Sequence, residues 1–79
     1  MPMRLDRITF DPQIMGGRAC LRGMRITVSH VVNLVANGMT TEEIVAEHPN
    51  LEAEDVRQAL RYAAWRVKED RAPQRQAGE

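Results

Sequence analysis

The stretch Thr40-Thr41-Glu42-Glu43-Ile44-Val45-Ala46-Glu47-His48-Pro49-Asn50-Leu51 decides how this chain folds. Thr40 stands three residues before Glu43. That is the spacing of a capping box, in which the threonine oxygen and the glutamate carboxylate each take up a backbone N–H that the first turn leaves free. Glu42 and Glu43 also place negative charge at the positive end of the helix dipole. Ile44 and Val45 supply the apolar face. Pro49 closes the helix, because the residue before a proline resists the α region. The pattern predicts a short helix over residues 41–47 and a tight link, His48 to Leu51, to a further helix.

Downstream, Glu52, Glu54 and Asp55 load the start of that next helix with the charge its dipole prefers. Val56, Leu60, Ala63 and Val67, widened by Ala59 and Ala64, recur on one helical face, so the longest helix is expected over 53–69. Upstream, Val28, Val31, Val32 and Val35 mark a helix over 28–37. Thr27 serves as its cap, and Gly38 stands where a left-handed terminating residue belongs. Three helices with tight links, the middle one short, suggest a helix-turn-helix domain. Before them, Arg7-Ile8-Thr9-Phe10 alternates like a short strand that Asp11-Pro12 stops. Arg18 to Leu21 and Met24 to Ile26 suggest a small hairpin around Arg22-Gly23, although Arg-Gly is not a favoured turn pair. The expected organisation is one domain over 1–70, with an N-terminal β arm over 1–27. A tail over 71–79, without hydrophobic period, is expected to be disordered alone.

A chain of 79 residues buries a thin core. Its aromatic residues are Phe10, Tyr62 and Trp65 alone, so the core must rest on aliphatic side chains. Cys20 is the single cysteine and excludes an internal disulfide. Self-association or a tight complex is the remaining source of stability, and a homodimer is expected. No apolar run reaches the ~18 residues of a membrane span. The N-terminus lacks the apolar stretch of a signal peptide, and together with a lone cysteine this favours the cytoplasm. The formal net charge is zero but unevenly placed. Residues 1–39 carry five arginines against Asp6 and Asp11; residues 40–66 carry six acids against three arginines. Such a bipolar chain is suited to pairing through opposite patches. It is not the strongly basic footprint of a typical nucleic-acid binder.

The order Ile8-Thr9-Phe10-Asp11-Pro12, Gly16-Gly17-Arg18, Arg22-Gly23-Met24-Arg25-Ile26 and Val28 resembles the family called domain of unknown function 433. The likeness continues through Asn37-Gly38-Met39-Thr40, Glu42-Glu43-Ile44 and His48-Pro49-Asn50-Leu51 to Glu54-Asp55-Val56, Ala59-Leu60 and Tyr62-Ala63. It covers roughly residues 5–66. Ala19 and Met24 depart from the pattern, standing where the family usually carries Pro and Thr. The resemblance implies a mainly α fold: a three-helix, homeodomain-like bundle with a short N-terminal β-strand or hairpin arm. It groups the chain with VapB-type antitoxins, often encoded beside a PIN-like ribonuclease toxin. The implied function is therefore the antitoxin of a type II toxin–antitoxin pair, binding and neutralising that toxin and repressing its own operon. A DNA-binding transcriptional regulator without a toxin partner is the alternative, and a dimerisation module the third.

Nothing in the chain reads as catalytic. His30 and His48 lie 18 residues apart with no further ligand at metal spacing, whereas a metal site needs three or four converging ligands. No base is suggested beside Cys20, which reads as a strand residue. Gly16-Gly17 lacks the Lys-Ser/Thr of a phosphate loop. No enzyme, metal or cofactor is expected.

Binding residues are the better candidates. On the third helix Arg57, Arg61 and Lys68 share a sector about 40° wide, a stripe suited to DNA phosphates. The plain alternative is a solvated face with local Glu54–Arg57 and Glu54–Gln58 pairs. Acid at the start of that helix opposes insertion into a major groove, so Arg18, Arg22 and Arg25 of the arm are better placed for DNA. Tyr62 and Trp65 fall off the expected core stripe, and with Phe10 they are candidate interface residues. Alternatively the arm folds back and covers them. In the tail, Arg71 and Arg75 could meet the acidic metal site of a PIN-like nuclease.

Overall fold

The computed structural model describes residues 5–70. The tail expected over 71–79, and with it Arg71 and Arg75, lies outside the described residues. The chain runs through β1 (Ile8–Thr9), a single 3-10 turn (Met15–Gly17), β2 (Cys20–Leu21), α1 (Val28–Ala36), α2 (Thr41–Glu47) and α3 (Ala53–Asp70). It is the mainly helical fold with a short N-terminal β arm that the sequence predicts.

Each helix is delimited by the chemistry of its ends. The Thr27 hydroxyl accepts the His30 N–H at 3.0 Å and starts α1. Gly38, at φ 96°, stops it. The Gly38 N–H donates to the Val35 carbonyl and the Met39 N–H to the Leu34 carbonyl, the two bonds of a Schellman termination. For α2 both arms of the capping box are present: the Glu43 N–H donates to the Thr40 hydroxyl at 3.1 Å, and the Thr40 N–H to the Glu43 carboxylate at 2.8 Å. His48 caps the far end. A turn closed by the Leu51 N–H on the His48 carbonyl then leads into α3.

The arm is an antiparallel pair, with Ile8 opposite Leu21 and Thr9 opposite Cys20. The hairpin expected around Arg22-Gly23 is present in reduced form. Cys20 bridges Thr27, and the Leu21 N–H donates to the Ile26 carbonyl at 3.0 Å. Both central residues hold positive φ, Arg22 at 50° and Gly23 at 72°. A tight primed hairpin turn requires this backbone, and a non-glycine residue seldom supplies it.

The core draws on the arm and on all three helices: Leu21, Val28, Val31, Ile44, Leu51, Val56 and Ala59. Burying each of the larger side chains contributes about 1.5–3 kcal/mol. Leu21 is fully buried, so the arm is part of the core rather than an appendage. α3 packs chiefly on α1.

On α3 the buried face differs from the one expected. Val67 is 65% exposed and Leu60 lies at the surface, while Asp55 and Gln58 are buried beside Val56 and Ala59. Tyr62, read from the sequence as off the core stripe, packs against the core. The cause is the arm. It lies along the helix on the side of Asp55 and Gln58, whose polar groups take its backbone and arginines, while Leu21 joins the apolar core.

Candidate interaction surface

Two arginines of the arm are bound to the start of α3. Asp55 is fully buried, and its carboxylate collects four donors. Arg22 donates through Nε at 3.0 Å and Nη2 at 2.8 Å, a two-point guanidinium–carboxylate pairing. Arg7 adds Nη1 at 3.2 Å, and the Glu52 backbone N–H adds 2.7 Å. Arg7 Nη1 also meets Glu52 at 2.7 Å, and Arg22 Nη2 reaches the Asn50 carbonyl. Burial opposes the charged form of Asp55. The hydrogen bonds from Arg22, the Glu52 amide and Arg7 outweigh it and hold the carboxyl below its ordinary value.

Gln58, one helical turn further, completes the seat. Its Oε1 accepts the Arg7 backbone N–H at 2.9 Å, and its Nε2 donates to Asp6 at 2.8 Å and to Glu54 at 3.0 Å. The Arg22 N–H donates to the Arg7 carbonyl at 2.7 Å. Arg22 is thus held by backbone and side chain together, which accounts for its left-handed conformation.

This arrangement redirects the sequence reading of charge. The surplus of arginine in the arm and of acid in the helices is not wholly left for a partner. A substantial part of it is neutralised within the molecule, Arg7 and Arg22 on Glu52 and Asp55. Of the six basic residues considered for DNA, Arg22 is committed to Asp55, and Arg57 pairs with Glu54 at 2.7 Å. Arg18, Arg25, Arg61 and Lys68 are exposed. The six lie on different elements: Arg18 before β2, Arg22 in the hairpin turn, Arg25 just after it, and Arg57, Arg61 and Lys68 along α3.

What the structure does gather is the aromatic complement. The Phe10 and Tyr62 rings meet edge-on with centroids 6.0 Å apart, and Tyr62 and Trp65 lie 6.1 Å apart. Both spacings fall within the range of favourable aromatic pairs. The arm therefore folds back onto Tyr62, yet it leaves Phe10 58% and Trp65 43% exposed. The expectation that the arm covers these rings therefore holds only in part. Beside them runs an open groove of about 710 Å³ between the arm, α1 and the C-terminal half of α3. Phe10, Ala19, Val28, Val32, Tyr62 and Val67 supply its apolar lining, and Arg18, Asn33 and Arg66 its polar groups. Among the described residues no group of three or more His, Cys, Asp or Glu is placed to hold a metal ion. No described helix is long and apolar enough to cross a membrane.

Residues 8–63 match the family described as "Protein of unknown function (DUF433)". The chain belongs to this family. A solved relative in the family, "a duf433 member protein from anabaena variabilis atcc 29413", superposes with a TM-score of 0.73 at 32% identity, covering 80% of this chain and 62% of that one. A curated relative, "Uncharacterized protein y4eO" of Sinorhizobium fredii (strain NBRC 101917 / NGR234), is 39% identical over 56 residues, 71% of this chain. The chain spans 25% of that relative's length, so there the family domain is one part of a larger protein.

The sequence reading missed the Asp55 cluster, which joins residues 33 and 48 positions apart. The signal it held was indirect: two arginines of a short arm and an aspartate three residues into a helix whose preceding residue is Glu52.

Proposed function

We propose that this chain is the antitoxin of a type II toxin–antitoxin pair, and that it binds and silences a PIN-like ribonuclease stoichiometrically rather than by catalysis. The observation that carries the reading is the exposed strip Phe10–Tyr62–Trp65 beside an apolar groove. A small domain that places all its aromatic rings on one accessible face has the composition of an interface core, where tryptophan, tyrosine and arginine carry most of the binding energy. Arg18 borders the same groove and suits a partner with a carboxylate at its rim. The VapB-type likeness of the family names the kind of partner. Repression of the operon by the same chain would draw on Arg18, Arg25, Arg61 and Lys68, since Arg22 and Arg57 are already paired.

The reading is tested by co-expressing the chain with the products of the open reading frames that flank its gene, followed by affinity capture. Capture that survives salt but is lost in Trp65→Ala supports it. A complex indifferent to Phe10, Tyr62 and Trp65 removes the proposed surface. A promoter fragment retained in a gel shift with a steep salt dependence, without any toxin bound, moves the assignment to a transcriptional regulator.

A further inference from the structure

The two histidines of the chain, 18 residues apart in sequence, meet in the fold. His30 lies in the first turn of α1 and His48 caps the end of α2, and their ring centroids are 5.5 Å apart with planes at 66°. The sequence holds no other histidine, and its single cysteine, Cys20, is buried in β2. From this juxtaposition we propose that His30 and His48 form a two-imidazole site for a borderline transition-metal ion: copper(II), nickel(II) or zinc(II).

The geometry matches. Two imidazoles sharing one four-coordinate ion, with N–metal bonds of about 2.0–2.1 Å, carry their ring centroids roughly 5 Å apart. The supporting hydrogen bond is also in place. His48 Nδ1 lies 3.3 Å from the Ile44 carbonyl oxygen. In the tautomer that donates from Nδ1 to this carbonyl, the lone pair stands on Nε2, the ligating nitrogen. Metal-binding histidines are oriented in this way by a backbone carbonyl or carboxylate on the far nitrogen. The scaffold under both rings is fixed. The His30 backbone is held by the Thr27 cap, and its neighbour Val31 is fully buried. Ile44, whose carbonyl orients His48, is a core residue. The ordering cost of bringing the ligands together is met by folding, before any ion arrives. Imidazole suits these three metals, and copper(II) is bound most tightly of them. Solvent fills the remaining positions, which makes this an open, moderate-affinity site rather than a closed structural one. A bound ion ties the start of α1 to the end of α2, and both rings must be unprotonated, so binding weakens in acid.

The test is calorimetric titration of the full, untagged chain with nickel(II), copper(II) and zinc(II) chlorides. It is repeated on His30→Ala and His48→Ala, with circular dichroism confirming that each variant is folded. The expected result is one ion per chain, tightest for copper(II), and affinity reduced at least tenfold by either substitution alone. Nickel(II) should also raise the melting temperature of the parent chain and leave that of His30→Ala unchanged, because a ligand pair assembled by folding stabilises only the folded state. His30 is exposed, so its variant separates ligation from folding. Binding of all three ions within twofold of the parent in His30→Ala, or no binding at millimolar ion, overturns the site.

Discussion

The guanidinium of Arg22 grips the carboxylate of Asp55 at two points, 3.0 and 2.8 Å, and so fastens the turn of the arm to the first turn of α3. Asp55 is fully buried and Arg7 shares it. Removing the carboxylate leaves Arg22 without its anion, while Arg7 keeps Glu52. Both arginines are partly exposed, so water offsets part of the loss, and the hydrogen bonds given up to a charged group cost about 1.5–3 kcal/mol. Asp55→Ala should lower the unfolding free energy measured in urea by that amount, with loss of arm protection in hydrogen exchange. A change below about 1 kcal/mol would mean the arm is held by Leu21, Gln58 and the Phe10–Tyr62 contact instead.

The same carboxylate sets an acid limit. The folded state holds Asp55 below its ordinary value, so the unfolded chain takes up the proton first as pH falls. The stabilisation is fully present above the unfolded carboxylate value of about 3.9 and is lost as pH drops through that value toward the folded one. Glu54 acts in the same direction, lowered by its hydrogen bond from Gln58 and by the charge of Arg57. Urea unfolding between pH 7 and pH 3 should show stability falling at the acid end, and Asp55→Asn should flatten that slope. Equal slopes in the two proteins would remove Asp55 as the source.

Helix ends give a third expectation. Gly38 terminates α1 at φ 96°, a backbone that costs a side-chain-bearing residue roughly 1–2 kcal/mol. A Cβ at Gly38 meets open space, so the penalty of Gly38→Ala is conformational and not steric. Thr40→Ala removes one arm of the capping box and should cost about 1 kcal/mol. Thermal melts of the two variants and of the double mutant measure this. The two costs should add only in part, because the sites are two residues apart.

Phe10 and Trp65 separate binding from folding. Both are substantially exposed, so Phe10→Ala and Trp65→Ala should melt close to the parent. If the aromatic strip is the docking surface, each weakens toxin binding by at least about 2 kcal/mol, roughly thirtyfold. Glu47→Ala, an exposed change on α2, which does not line the groove, serves as the comparison and should leave toxin binding intact.

Local chemistry made the helices readable. Thr40, Glu43 and Pro49 bound α2 at the residues where it begins and ends, and Thr27 and Gly38 bound α1 within one residue. The arm was legible as strands, but its partner was not. Nothing near Arg7 announces Gln58, 51 positions away, and nothing near Arg22 announces Asp55. That omission misplaced the buried face of α3. Periodicity counts apolar residues, and here the arm is received by a buried aspartate and glutamine, which the count treats as solvent-facing. His30 and His48 illustrate the same limit: His30 reads as a helix residue and His48 as a helix-end residue, while their meeting depends on how α1 and α2 cross.

The most direct test of the account is an RNA-cleavage titration of the proposed PIN-like ribonuclease partner, with this chain added in steps. Loss of cleavage linear in added chain, complete at a fixed whole-number ratio and shifted to large excess by Trp65→Ala, is the result expected. Undiminished cleavage at a tenfold excess of folded chain would contradict it.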